Sequence, residues 1–100
     1  MKKCIGNSFI SFFPDSSTPK TIIIDEIVVD PKFRRQGIGT QLINHVKNYV
    51  SQNKNLYNRI TLFANPLDES VNFDNLINFY KVNGFTQDSE LANLMFWPPV

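Results

Sequence analysis

Seven consecutive residues, Arg34-Arg35-Gln36-Gly37-Ile38-Gly39-Thr40, set two guanidinium groups and two glycines directly ahead of a helical pattern. Arginine carries a permanent charge and a planar fork of donors that matches phosphate oxygens. Glycines let an anion approach main-chain amides with no Cβ in the way, and the first amides of a helix are unpaired donors with partial positive charge. The chemistry suggested is capture of an anion, phosphate above all, by main chain and arginine together. Asp25 and Glu26 form a second candidate group, because they interrupt an otherwise apolar run over 22–29. A carboxylate in such a run is costly unless it is solvated or used. Adjacent strand residues point to opposite faces, so only one of the pair is expected to aim into a given site.

The elements that must position these groups are legible. The β-branched run ending at Asp30-Pro31 reads as a strand over 21–29, and Ile38, Leu42, Val46, Tyr49 and Val50 share one face of a helix from Gly37 to about residue 52. After a polar linker over 53–58, alternation over 59–64 predicts a further strand. Strand, helix, strand implies a right-handed parallel crossover. Upstream, residues 4–13 read as one strand, and a turn rich in Pro, Asp and Ser lets it pair with the next as a hairpin. Downstream come a loop over 65–72, a helix over 73–83 closed by Gly84 in a left-handed conformation, and a last hairpin from 85–86 and 91–97. The expected fold class is α/β with α+β character, a mixed central sheet in a single domain over 1–100.

Several function classes are disfavoured. A P-loop needs Lys-Ser or Lys-Thr after its last glycine, where this chain has Thr40-Gln41; a dinucleotide fingerprint needs a third glycine where Leu42 stands. A net charge of +1 argues against direct nucleic-acid binding through a broad basic face. The one cysteine, Cys4, cannot form an intrachain disulfide, and neither it nor the one histidine, His45, has metal-ligand spacing, so no metal is expected. Cys4 reads as a small strand residue and His45 as a partly exposed helix residue. No apolar run reaches membrane-spanning length and no signal peptide follows Met1, so a cytoplasmic protein without membrane contact is the expectation. With 100 residues, either a monomer or a homodimer is compatible with the small core. Charge is segregated: nine Lys/Arg against four Asp/Glu precede Thr61, and from there Lys81 stands against Asp68, Glu69, Asp74, Asp88 and Glu90. The first part suits an anionic cofactor and the second a cationic substrate.

The stretch from Val29 to Thr40 resembles the acetyl-CoA signature of the GNAT superfamily of N-acetyltransferases, in which Arg or Gln, two residues, Gly, one residue and Gly or Ala wrap a pyrophosphate. Downstream, Phe79-Tyr80-Lys81-Val82-Asn83-Gly84-Phe85 is similar to that family's Tyr-x-x-x-Gly-Phe segment. The resemblance implies a compact GNAT-like fold lacking most of the usual N-terminal strand and two helices, which cover the substrate side. It also implies acetyl-CoA as cosubstrate, held by Ile27, Val28 and Val29 on a splayed strand and by Arg34, Arg35, Gln36, Gly37, Ile38, Gly39 and Thr40 at the pyrophosphate. A strand amide near Val29 would polarise the thioester carbonyl. Tyr80 would protonate the departing thiolate, the alternative being a tyrosine merely packed on its helix. Glu26, with Asp25 second and a water chain third, would take the proton from the attacking amine.

Two segments, Leu62-Phe63-Ala64-Asn65-Pro66 and Asn75-Leu76-Ile77-Asn78-Phe79-Tyr80, are most similar to small phage-type family members that act as anti-CRISPRs against type V effector nucleases. The implied function is N-acetylation of a primary amine, a protein lysine on a basic surface, with a DNA-engaging lysine of a type V CRISPR nuclease as the finer possibility. The alternatives are a small-amine acetyltransferase of bacterial metabolism and a non-catalytic acyl-CoA-binding inhibitor or sensor.

Overall fold

Successive side chains of a strand point to opposite faces, and this period of two sorts the residues of six strands, rich in β-branched and aromatic types, onto the two faces of one sheet. The computed structural model describes residues 1–33, 36–66 and 71–98. The strands are β1 (Lys2–Ile5), β2 (Ser8–Pro14), β3 (Thr21–Val28), β4 (Arg59–Phe63), β5 (Thr86–Gln87) and β6 (Leu94–Trp97), in the spatial order β1-β2-β3-β4-β6-β5. Every pair is antiparallel except β3 and β4, which run parallel and are joined by helix α1 (Ile38–Gln52). The mixed sheet and its parallel crossover are those expected from the sequence.

One expected element divides. Residues 4–13 do not form one strand: Gly6, at φ 60°, opens a two-residue turn before Asn7, and β1 folds back on β2 with Ile5 opposite Ser8. Glycine at the first central position is what a type II′ hairpin asks for, and alternation along the sequence hid the reversal.

Helix α2 (Phe73–Val82) packs on the same face of the sheet as α1. The two helices touch directly: a Cβ added at Gly39 of α1 would stand 2.9 Å from Phe79 Cζ of α2, and Lys47 Nζ of α1 donates to the carbonyl of Asn83 at the end of α2. Ile10, Ile22, Leu42, Ile43, Val46, Ile60 and Met95 are fully buried between the sheet and the helices. Phe12 sits edge-on to Tyr49 and His45 on the exposed flank of α1. The opposite face of the sheet carries no helix among the described residues. There Phe13 is 42% exposed and Phe63 58%, which shows how open that side is.

Candidate active site

Parallel pairing between β3 and β4 stops early. Thr21–Ile24 lie opposite Arg59–Leu62, and the remainder of β3, from Asp25 to Val28, has no strand across from it on that side among the described residues. β4 turns instead to β6, with the Ala64 amide donating to the Asn93 carbonyl at 2.7 Å. The gap is a cleft of about 780 Å³. Its walls are residues 24–28 of β3 with Val29 just beyond, the N-cap and first turn of α1 (Gly37, Gly39, Thr40), the end of β4 and the residues after it (Leu62, Phe63, Asn65, Pro66) and the flank of α2 (Asn75, Leu76, Phe79, Tyr80). Backbone polar groups at a strand edge demand partners, so this edge can accept an extended, amide-bearing ligand as if it were another strand.

The N-terminus of α1 is the cationic end of the cleft. Gly37 is its N-cap in a left-handed conformation (φ 81°, ψ 5°) with no side chain capping the helix, and the first internal bond runs from the Gln41 amide to the Gly37 carbonyl at 3.0 Å. The amides of Ile38, Gly39 and Thr40 therefore have no intrahelical acceptor. A Cβ at Gly37 would meet nothing within 4 Å, so glycine serves the positive φ and leaves the amides open to an anion. Gly39 serves differently, since its missing side chain makes room for the Phe79 ring and so allows α2 to approach. The turn before it is pinned by Asp30, whose amide donates to Ser8 Oγ at 2.9 Å and whose carboxylate accepts from the Lys32 amide at 3.0 Å.

Tyr80 is held by the way α2 ends. Asn83 is the C-cap, Gly84 follows at φ 91°, the Gly84 amide donates to the Lys81 carbonyl, and the Phe85 amide donates to the Tyr80 carbonyl, both at 3.0 Å. This is a Schellman closure, and its usual apolar contact is here the edge-on packing of Phe85 on Tyr80, with ring centroids 5.8 Å apart. A physical reason for the Tyr-x-x-x-Gly-Phe spacing follows: glycine supplies the left-handed residue and phenylalanine clamps the tyrosine. Phe79 packs on the other side at 5.3 Å. Tyr80 is 4% exposed, and burial pushes its hydroxyl up to about 12. The group therefore stays protonated at neutral pH, the state that a proton donor must start from. Its hydroxyl has no hydrogen-bond partner among the described residues and is not sealed from the cleft.

The carboxylates depart from strict alternation. Ser11 pairs with Glu26, whereas Phe12 pairs with Ile24, so Asp25 is an extra residue in β3, a β-bulge. Ser11 lies on the open face with its partner Glu26, and Ser11 Oγ donates to Asp25 Oδ2 at 3.4 Å. Both carboxylates thus lie on the open face beside the cleft, contrary to the expectation that only one aims there. Both are exposed, and Glu26 has no side-chain partner among the described residues.

Of the expected cofactor residues, Ile27, Val28, Val29, Gly37, Gly39 and Thr40 line the cleft together with Tyr80, Asp25 and Glu26. Gln36 lies exposed in the preceding turn and Ile38 packs its side chain toward the core. Arg34 and Arg35 lie outside the described residues, as do Asp68 and Glu69. Sequence reading missed Phe63, Asn75 and Leu76 as cleft walls. It also missed Asn72, whose Oδ1 accepts from the amides of Asp74 at 2.8 Å and Asn75 at 3.2 Å. An Asn directly ahead of an apolar helix was the available signal for that cap. Among the described residues no group of three potential ligands could hold a metal ion, and no helix is long and apolar enough to cross a membrane.

Comparison with known proteins agrees with this architecture. Residues 2–87 match the model of the acetyltransferase (GNAT) domain. An uncharacterized N-acetyltransferase, ycf52, of Gracilaria tenuistipitata var. liui is 30% identical over a matched span of 116 positions, gaps included, which takes in 100% of this chain and 58% of that relative. The chain thus spans little more than half the length of the curated protein it matches. The crystal structure of the anti-CRISPR protein AcrVA5 superposes with a TM-score of 0.81 at 33% identity, covering 97% of this chain and 96% of that one. The PaiA N-acetyltransferase from Thermoplasma acidophilum, solved in complex with coenzyme A, superposes with a TM-score of 0.66 at 15% identity over 89% of this chain and 51% of its own, a likeness of fold alone. With residues 2–87 matching the GNAT domain, this chain belongs to the GNAT acetyltransferases.

Proposed function

We propose that the protein is an acetyl-CoA-dependent N-acetyltransferase acting on a primary amine, that of a protein lysine. The observation that carries the reading is the two-sided cleft: helix amides with no intrahelical acceptor and a strand edge on the helix side, carboxylates on the open side, and a protonated Tyr80 lining the same cleft. The residues present fit acetyl-CoA, since a phosphate can replace the missing cap of α1 and the β3 edge can bond the amides of a pantetheine arm. Acetyl-CoA would supply the acetyl group as a thioester. The amides of 38–40 would bind phosphate, and the edge of β3 would orient the arm so that attack is effectively intramolecular. The Glu26 carboxylate, directly or through water, would take the proton from the incoming ammonium. The Tyr80 hydroxyl would give its proton to the leaving thiolate sulfur. Direct attack needs no covalent intermediate on the protein, in keeping with the lack of an activated nucleophile among the described residues.

A protein acceptor is supported by the uncovered sheet face, which suits a surface lysine better than a deep metabolite pocket would. The similarity to an anti-CRISPR protein over nearly its whole length supports the finer reading of a DNA-engaging lysine on a type V CRISPR nuclease. Acetylation would remove that lysine's charge and its phosphate contact. Mass spectrometry of bacterial lysate incubated with the protein and isotopically labelled acetyl-CoA tests the reading. Labelled acetyl-lysine in proteins is the expected result. Label confined to free amines would overturn it.

A further inference from the structure

We infer that the uncovered face of the sheet, at the C-terminal ends of β3 and β4, is the docking surface for the acceptor, and that it selects a segment in which basic residues and an apolar residue flank the target lysine. The inference rests on the lysine-acetylation reading and adds to it where the acceptor is recognised. Register shows which side chains share this face. Phe13 pairs with Ile23, Ile23 with Thr61, Thr61 with Phe96, and Phe63 with Leu94, so an apolar band crosses from β2 to β6 with no helix over it among the described residues. An uncovered apolar face bordered by charge is the usual mark of an interaction surface.

Charge and continuity name the occupant. Phe63, Asp25 and Glu26 belong both to this face and to the wall of the cleft, so a chain lying on the face would deliver a side chain into the gap. The bulge places Asp25 and Glu26 on one side of Phe63. On the other side, the turn between β5 and β6 carries exposed Glu90 and Leu91, the latter 54% exposed. That turn is fixed in place: the Asp88 carboxylate accepts from the Glu90 and Leu91 amides at 2.9 and 2.8 Å, and Asn93 Nδ2 donates to Asn65 Oδ1 at 3.2 Å. The exposed cations Lys20 and Arg59 stand at the opposite ends of the same parallel strands. A basic segment is therefore attracted at the end where the cleft opens and repelled at the other, which is the complementarity that sets register and encounter rate.

The test is an array of twelve-residue peptides, each with one lysine, flanked by Arg and Leu, by Arg and Ser, by Ser alone, or by Glu, with kcat/KM measured using the intact protein and acetyl-CoA. The Arg/Leu peptides should react at least tenfold faster than the Ser peptides and the Glu peptides slowest. Phe63→Ser should erase the advantage of Leu over Ser, and Leu91→Ser should reduce it if Phe63→Ser does not fold. Glu90→Lys should shrink the advantage of Arg over Glu several-fold. Equal rates across the array, in the parent and the variants alike, would overturn the docking surface while leaving lysine acetylation intact. Turnover of spermidine with no peptide acetylated would overturn the lysine reading itself and the surface with it. A homodimer by light scattering that Phe63→Ser converts to monomers would give the face to a second copy instead and overturn the proposal.

Discussion

The two helices lie side by side on one face of the sheet and end in opposite ways. α1 begins at Gly37 with no side chain among the described residues capping its first amides, while α2 begins at Asn72, whose Oδ1 satisfies two of them. At its other end α2 is closed again by the Schellman bonds around Gly84 and by Lys47 reaching across from α1 to the Asn83 carbonyl, its ammonium beneath the Trp97 ring at 5.4 Å. Partial burial pulls the Lys47 ammonium below the ordinary lysine range, and its position at a helix C-terminus opposes that by favouring the charged form. Under the proposed function, α1 would bind through its open end, and α2, tied at both ends, would aim Tyr80.

The largest expected effect falls on the tied helix. Tyr80→Phe keeps the ring that Phe79 and Phe85 clamp and removes the proton, so single-turnover rates should fall by roughly 10²-fold while acetyl-CoA still raises the melting temperature. An unchanged rate would make α2 a structural mount only. Next comes the open helix. Acetyl-CoA at one hundred times its dissociation constant should stabilise the protein by about 2.7 kcal/mol. Gly37→Val, which cannot hold φ 81° without strain and carries a bulky side chain beside the open amides, should abolish that gain. A melting temperature indifferent to saturating acetyl-CoA in the parent would remove the cofactor from α1 altogether.

Smaller effects refine the contrast. Asn72→Ala should cost about 1 kcal/mol by thermal or urea unfolding, the usual worth of a side-chain cap. Its loss should be the same with and without acetyl-CoA; a loss that acetyl-CoA restored would mean both helix ends bind ligand. The smallest effect is one of pH. Raising the Tyr80 hydroxyl from 10.0 to about 12 keeps its proton in place well past neutrality. Activity should therefore show no descending limb from Tyr80 between about pH 7 and 10, since a raised phenol pKa moves that limb upward. A fall near pH 10 that Tyr80→Phe removes would show the hydroxyl to be far less buried in solution.

Local chemistry was written in the order of residues. The strand ending at Asp30, the helix opening at Gly37 and the closure at Gly84 each follow from short-range preferences: β-branching, apolar spacing, and the tolerance of glycine for positive φ. The resemblance to the family rested on these same residues, so the chain by itself sufficed for the fold and for the glycine-capped start of α1. What the sequence could not decide depends on strand pairing between distant residues. Gly6 reverses the chain because Ile5 finds Ser8 across from it. Asp25 becomes a bulge only because Ser11 pairs with Glu26 and Phe12 with Ile24, and that extra residue is what places two carboxylates on one face. The roles of the two glycines also parted only in three dimensions, one serving a dihedral angle and the other the approach of Phe79 from forty residues away. Nor does periodicity tell which sheet face lies bare, because an apolar residue reads alike under a helix or in the open. That distinction is made only when both helices settle on the same side.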